Sequence, residues 1–327
     1  MRTKSKFDLA GSLETQDEIE NLGRHHSGLQ SKADLSPKTK PSLLLLNSVQ
    51  NGSRIEIPLL TLNQRDEFVK FARHAVTKLD LDLQRKTIQY IESCENLSLR
   101  AFGRYFCEGW LKYNAEGNLT KDMTYQAEGL SAKILSKILS YESFSGLKGI
   151  DFGFGNGEVC HALSRMGAEM VGFDLSPFFV QCARNRGINA RMAAIDGHPR
   201  EFFKQVDLLE GSQDFVIATL VLDRLSKPRH FLENFFRTVK SKGFFAIQTL
   251  LPIIPRDDGP VEKPIVYTSQ ENQITPGKDL EEDKGRFLEL IQAFGGKNIK
   301  VQSLSYSVTS LDGIQNYNLW SFSGLKG

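Results

Sequence analysis

The sequence predicts an α/β protein: a seven-stranded, mostly parallel sheet with helices on both faces, a C-terminal antiparallel hairpin and a mainly helical N-terminal extension. Three observations predict it. From Gly149 onward short apolar runs alternate with helical segments, the pattern of a parallel sheet covered on both sides. The first of these runs ends in a turn holding Gly153, Gly155 and Gly157, which opens directly into a helix. Before Gly149, residues 62–111 carry apolar side chains at three- and four-residue spacing, the period of amphipathic helices.

Residues 1–41 are polar, of mixed charge and punctuated by Gly23, Gly28, Pro37 and Pro41, so a flexible segment is expected there. Residues 43–60 break into strand-like pieces at Asn51-Gly52, a turn dipeptide. Phe68, Phe71, Ala72, Ala75, Val76 and Leu79 make one stripe of a first helix; residues 83–94 and 99–110 follow as the second and third. These helices suit a lid over a pocket, a packing face or a homodimer surface. Residues 113–124 read as a linker, and 125–139 as a further helix with Leu130, Ile134, Leu135 and Ile138 on one side. The expected domains are thus the flexible segment 1–41, an accessory region 42–124 and the sheet domain 125–327. Within the last, strands are expected at 149–152, 170–173, 190–194, 215–219 and 244–249, and a hairpin of 299–308 and 317–323 around Asp312-Gly313.

The chain has 327 residues, 40% of them hydrophobic and 24% charged, which suits a globular protein with a sizeable core. A formal net charge of +2 with both signs interspersed lacks the basic stripe that a nucleic-acid backbone or an anionic membrane attracts. A small or neutral partner is the expectation. Cys94, Cys107, Cys160 and Cys182 form no CxxC and no zinc-ligand spacing, so free thiols in a reducing compartment and no metal are expected. No apolar run approaches a membrane span, and the acidic residues Asp8, Glu14, Asp17, Glu18 and Glu20 do not suit an organelle transit peptide, which leaves the cytoplasm as the expected location.

The chemistry centres on Asp151-Phe152-Gly153-Phe154-Gly155-Asn156-Gly157. Glycines permit φ > 0 and remove the Cβ, so backbone amides can approach a nucleotide closely, although such a loop can equally serve tight packing. The next strand ends in Asp174, followed by Leu175, where a carboxylate can accept from both hydroxyls of an adenosine ribose. Ser176-Pro177 then starts a helix. One strand further on, Ile195-Asp196-Gly197 places a second acid where it can accept from an adenine amino group; an isolated acid there would more simply be a turn or helix cap. The GxGxG spacing, in place of GxGxxG, argues against a dinucleotide.

From about Gly149 to the C-terminus the chain resembles the class I S-adenosylmethionine (SAM)-dependent methyltransferases, of the type found in ubiquinone biosynthesis and secondary metabolism. Residues 151–157 resemble the family's glycine motif, Asp174 its ribose acid and Asp196 its adenine-side acid. Residues 212–223 resemble the fourth-strand motif at the methyl end, and Lys240-Ser241-Lys242-Gly243 the Lys-Pro-Gly-Gly turn, with Ser241 and Lys242 as departures. The resemblance implies a Rossmann-like fold, SAM as cofactor and a cofactor set of Asp151, Phe152, Gly153, Gly155, Gly157, Asp174, Leu175, Ile195, Asp196, Gly197, Thr219 and Leu220. It does not extend to residues 1–120.

Methyl transfer from a sulfonium needs alignment first and a general base for some acceptors. Asp223, just after the fourth strand, and His230, at the start of the next helix, are the candidate catalytic residues; each has a structural alternative, Asp223 as a helix-terminal acid or partner of Arg224 and His230 as a surface histidine. His198, His161, Tyr125 and Asp122 are further positions near the domain's active edge. The proline-rich stretch 251–280 follows the fifth strand, where a long loop is either a substrate wall or a solvated connector. The expected activity is methylation of an oxygen on a small metabolite. Alternatives are a protein or RNA methyltransferase that uses residues 1–120 for recognition, a SAM-binding regulator without turnover and, at the level of fold, an NAD-dependent oxidoreductase.

Overall fold

The computed structural model describes residues 44–50, 53–57, 65–94, 96–115, 144–155, 157–222, 225, 227–250, 280–310 and 313–327. The flexible segment, the helix expected at 125–139, the domain boundary near residue 124, the proline-rich stretch up to residue 279, and Asp122, Tyr125 and Asp223 lie outside the described residues. Two compact units divide the chain, one of residues 1–40 with 308–315 and one of residues 41–307 with 316–327; the sheet edge that carries the site belongs to the second.

Strands β1 (Leu44–Gln50) and β2 (Ser53–Ile57) pair antiparallel, and Asn51-Gly52 between them lies outside the described residues. The larger sheet contains β3 (Lys148–Phe152), β4 (Glu169–Asp174), β5 (Ala190–Met192), β6 (Gln213–Thr219), β7 (Val239–Leu250), β8 (Gly296–Ser310) and β9 (Gly313–Lys326), in spatial order β5-β4-β3-β6-β7-β9-β8. The first five are parallel, and β9 runs antiparallel to β7. Phe215, Val216, Ile217 and Ala218 are all buried, because a parallel strand at the centre of such a sheet is covered on both faces. The order changes direction between β3 and β6, and ligands of open α/β sheets bind in the crevice at the strands' carboxyl ends at such a switch point.

The expected strands are present with differences in length: β8 and β9 extend beyond 299–308 and 317–323 at both ends, β5 is shorter and β7 longer. β5 stops at Met192 because the chain then turns through Ile195 and Asp196. β7 begins at Val239, five residues early. The Lys240–Gly243 turn is carried inside the strand as a bulge: Gln213 pairs with Val239 and Phe215 with Phe244, so the extra residues have no partners on β6.

The helices are α1 (Arg65–Ala75), α2 (Leu81–Ser93), α3 (Asn96–Ala115), α4 (Glu158–Arg165), α5 (Pro177–Asn185), α6 (Pro199–Val206), α7 (Pro228–Thr238) and α8 (Leu280–Ala293). Alternation along the strands splits the core in two. Phe215, Ile217 and Ala246 point to the face covered by α1–α5, whereas Val216, Ala218, Phe245 and Ile247 point to α6–α8. On the latter side Phe152 meets Phe173, Phe202, Phe231 and Phe235 at ring separations of 5.4–5.9 Å. Each fully buried phenylalanine contributes about 1.5–3 kcal/mol.

The apolar stripe of the N-terminal helices is used within the chain. Phe68 and Phe102 pack against Phe106, and Phe106 meets Phe178 of α5 edge-on at 5.0 Å. Gly109 of α3 lies so close to Ser176 that a Cβ there would fall 2.0 Å from Ser176 Oγ. Asp80 caps α2 by accepting from the Leu83 amide at 2.9 Å and reaches Arg184 of α5 at 2.8 Å. Thus α1–α3 are fastened to the helix that directly follows Asp174.

Candidate functional site

The site is assembled at the carboxyl ends of β3, β4 and β6. Gly153, Gly155 and Gly157 have φ of 73°, 54° and 77°, all in the left-handed region that glycine enters without cost. The first and the second serve different ends. A Cβ on Gly153 would fall 2.3 Å from Val221 Cγ2, so this glycine lets the loop close on the segment after β6. A Cβ on Gly155 would meet nothing within 4 Å, so this one faces open space. Gly157 caps α4 in the left-handed conformation and donates to Phe154 O at 2.9 Å.

Backbone amides tie the loop to β4 and hold the carboxylate at the strand's end. Gly153 N donates to Phe173 O at 2.7 Å, Gly155 N to Asp174 Oδ2 at 2.9 Å, and Ser176 N to Asp174 Oδ1 at 2.8 Å. Two backbone amides therefore fix the plane of the Asp174 carboxylate. Phe152 is buried beneath the loop, and Leu175 is half-buried beside Asp174.

Asp151 sits in the core at the end of β3 with 2% of its surface exposed. Burial pushes its carboxyl up to about 7; hydrogen bonds from the side chain and backbone of Cys160 oppose the rise, and the charge of Asp174 adds to it. Burial likewise raises the Cys160 thiol, with Asp151 reinforcing it. Asp151 is thus a support under the loop and not a surface of the crevice.

The turn Ile195-Asp196-Gly197 is held from below by a residue that sequence reasoning missed. Asn234 of α7, fully buried, donates from Nδ2 to Ile195 O and to Gly197 O, both at 2.9 Å. Asp196 Oδ2 accepts from Lys227 N at 3.1 Å. The signal for Asn234 was the polar pair Glu233-Asn234 inside the otherwise apolar run Phe231–Phe236. From the accessory side, the charge of Asp196 reaches the Tyr90 phenol of α2, whose titration burial has already raised.

His230 faces His198 with ring centroids 5.7 Å apart, beside the Asp196 turn. Desolvation holds His230 below the usual histidine range; Lys227 and His198 add to this, and Glu233 and Asp196 oppose it. His161 is half-buried in α4. His230 and His198 are therefore brought to the Asp196 turn and not to the end of β6. A polar groove lined by Lys86, Arg184, Arg191, Gln205 and Asp207 runs along the β5 edge, away from the crevice between β3 and β6.

At the end of β6, Thr219 pairs with Gln248 of β7, and Leu220 N donates to Gln248 O at 2.8 Å. Leu220 has φ of 53°, a left-handed conformation that costs a branched residue about 1–2 kcal/mol. The backbone therefore turns sharply away from the sheet beside the glycine loop, and the close approach of Gly153 to Val221 brings these two segments together.

Residues 150–247 match a family model described as a methyltransferase domain. A ubiquinone biosynthesis O-methyltransferase of Schizosaccharomyces pombe, named as mitochondrial, is 30% identical over 117 residues, 33% of this chain and 39% of the relative. A ubiquinone biosynthesis O-methyltransferase of a Bradyrhizobium species is 27% identical over 135 residues, 39% of this chain and 49% of the relative. The chain thus spans less than half the length of these relatives. Among solved structures, a SAM-dependent methyltransferase of Thermotoga maritima, described as a possible histamine N-methyltransferase, aligns at 17% identity with a TM-score of 0.42, over 69% of this chain and 98% of that one. A phosphoethanolamine N-methyltransferase of Haemonchus contortus aligns at 16% identity with a TM-score of 0.43, over 61% and 52%. Among the described residues no helix is long and apolar enough to cross a membrane.

Proposed function

We propose that this chain, which carries a class I SAM-dependent methyltransferase domain over residues 150–247, is an enzyme that methylates an oxygen of a small-molecule acceptor. The observation that carries the reading is the Asp174 carboxylate at the switch point, held by the amides of Gly155 and Ser176 beneath a glycine turn that opens onto free space. Oxygen as the acceptor atom is supported by the O-methyltransferase relatives.

In this reading Asp174 receives the ribose hydroxyls, Asp196 the adenine amino group, and the backbone of residues 153–157 lies against the methionine portion. Thr219 and Leu220 border the methyl end. The sulfonium of SAM supplies an already activated methyl group, so the protein's own task is alignment and exclusion of water. Asp223, next to the end of β6, is the proposed base; His230 serves as a wall residue of the adenine side. The four free thiols fit a reducing compartment, for which the cytoplasm is the proposed location.

Calorimetric titration of the full chain with SAM, S-adenosylhomocysteine and NAD in parallel tests the reading. Micromolar binding of both adenosyl ligands and none of NAD is expected. Binding of NAD, or of none of the three, would overturn it.

A further inference from the structure

The carboxyl ends of β6 and β7 carry two buried polar atoms that have no hydrogen-bond partner among the described residues. Gln248 is 4% exposed, yet its buried Nε2 has no hydrogen-bond partner, and neither has the buried Thr219 Oγ1. The two residues are register partners on adjacent parallel strands, so their side chains project from the same face of the sheet. That face is the one on which Phe215, Ile217 and Ala246 lie, and it leads without a break from apolar core to this polar pair. A buried donor left without a partner is costly, and most such groups in folded proteins are paired. Two side by side, where α/β sheets bind ligands, indicate a partner that arrives from outside.

We infer that Gln248 and Thr219 form the polar floor of the methyl-acceptor site, with the Gln248 amide donating to a neutral oxygen of the acceptor and the Thr219 hydroxyl completing the pair; this rests on the methyltransferase reading above. The ligand class follows from the groups. Both are uncharged, so they match a hydroxyl, carbonyl or ether oxygen, whereas a carboxylate or phosphate at this point would bring a charge that neither can neutralise. The apolar residues beneath them suit an acceptor with an apolar body.

The test uses the full chain with S-adenosylhomocysteine bound, and phenol, a neutral hydroxyl on an apolar ring, as the probe. Ligand-observed saturation-transfer NMR should show phenol bound to the wild type and benzoate, with the same ring and a charge, bound much less. In Gln248→Met, a replacement of similar shape, phenol affinity should fall by about tenfold, as loss of one hydrogen bond of about 1.4 kcal/mol implies. S-adenosylhomocysteine affinity should stay within about twofold, and the melting temperature of the ligand-free protein should hold or rise, because an unsatisfied buried donor has been removed. Thr219→Val, which preserves shape in a strand, should lower phenol affinity as well, with S-adenosylhomocysteine affinity used as the control only for Gln248→Met. Lower melting temperatures in both variants with phenol binding retained would make the pair structural and overturn the inference, as would no phenol binding to the wild type. Failure of S-adenosylhomocysteine to bind the wild type would instead sink the methyltransferase reading itself, and the inference with it.

Discussion

At the β3–β4–β5 half of the sheet's carboxyl edge, the two strand-end acids are held by backbone amides, although Ser176 Oγ, His230 Nδ1 and Asn234 Oδ1 are buried there without a hydrogen-bond partner among the described residues. Gly155 and Ser176 amides hold Asp174, Lys227 holds Asp196, and Asn234 holds the turn that bears Asp196. At the β6–β7 half, Thr219 Oγ1 and Gln248 Nε2 are buried and unanswered. The first half is preorganised, so that little ordering remains to be done when the cofactor arrives. The second carries an unmet hydrogen-bonding demand, which a ligand of matching shape would meet. A site that must take one fixed cofactor can be finished in advance; the part that selects an acceptor draws specificity from groups penalised when the wrong ligand leaves them unpaired.

The sharpest break of this contrast is at Asp174. Asp174→Ala removes two charge-assisted hydrogen bonds to the cofactor, each worth about 1.5–3 kcal/mol, so SAM affinity should fall at least about a hundredfold in calorimetric titration. The Gly155 and Ser176 amides would lose their common acceptor as well. Unchanged affinity would remove Asp174 from the cofactor half.

Asn234→Leu tests whether the preorganisation lies in the support as well as in the contact. Loss of the bonds to Ile195 O and Gly197 O should lower stability by about 1–3 kcal/mol, read as a lower melting temperature. The freed Asp196 turn should weaken S-adenosylhomocysteine binding by about tenfold, at about 1.4 kcal/mol per decade. A stability loss with unaltered affinity would make Asn234 a core residue only.

Asp151 supplies a pH-dependent version of the same question. Its carboxyl stands at about 7 in the folded protein, against about 3.9 in an unfolded chain. Between those values the folded protein holds a proton that the unfolded chain has released, so stability falls as pH rises through the window. Below it both states are protonated and the penalty is absent; above it both are ionised and the penalty is complete. Melting temperature measured from pH 4 to 8 should therefore decline more steeply in the wild type than in Asp151→Asn. Parallel curves would show that Asp151 does not titrate in this range.

The glycine turn and the two acids beside it were legible in the sequence because their information is local: three glycines at alternate positions, an acid at the end of the next strand and another just beyond the one after. The two strand-like pieces at residues 43–60, which pair as β1 and β2, were legible for the same reason, the break between them being written in two residues. Gln248 was read only as part of a strand, since an unsatisfied amide is defined by what fails to surround it, which no spacing reveals. Asn234 was hidden among Phe231, Leu232, Phe235 and Phe236, in a helix whose period was apolar. The docking of the N-terminal helices rests on pairs far apart in the chain, such as Asp80 with Arg184 and Phe106 with Phe178, so periodicity gave the helices and their stripe but not the surface that receives it.

The smallest expected effect serves as a control for both halves. Lys242 occupies the bulge at the start of β7, at the opposite end of the strand from Gln248, with φ of 61° and an exposed side chain. Its neighbour Gly243 has no such freedom of replacement, since a Cβ there would lie 2.6 Å from Val239 Cγ2 and 2.8 Å from Asp214 O. Position 242 is where the resembled turn carries glycine, and the left-handed backbone explains that preference: a side chain costs about 1–2 kcal/mol in this conformation. Glycine loses more entropy on folding, which returns part of the gain. Lys242→Gly should therefore stabilise the protein by about 0.5–1 kcal/mol, measured as a higher denaturant midpoint with an unchanged slope. Neither S-adenosylhomocysteine nor phenol affinity should move. If either did, the two halves of the edge would be coupled through β7 itself, and the separation between a finished cofactor half and an open acceptor half would have to be redrawn around that strand.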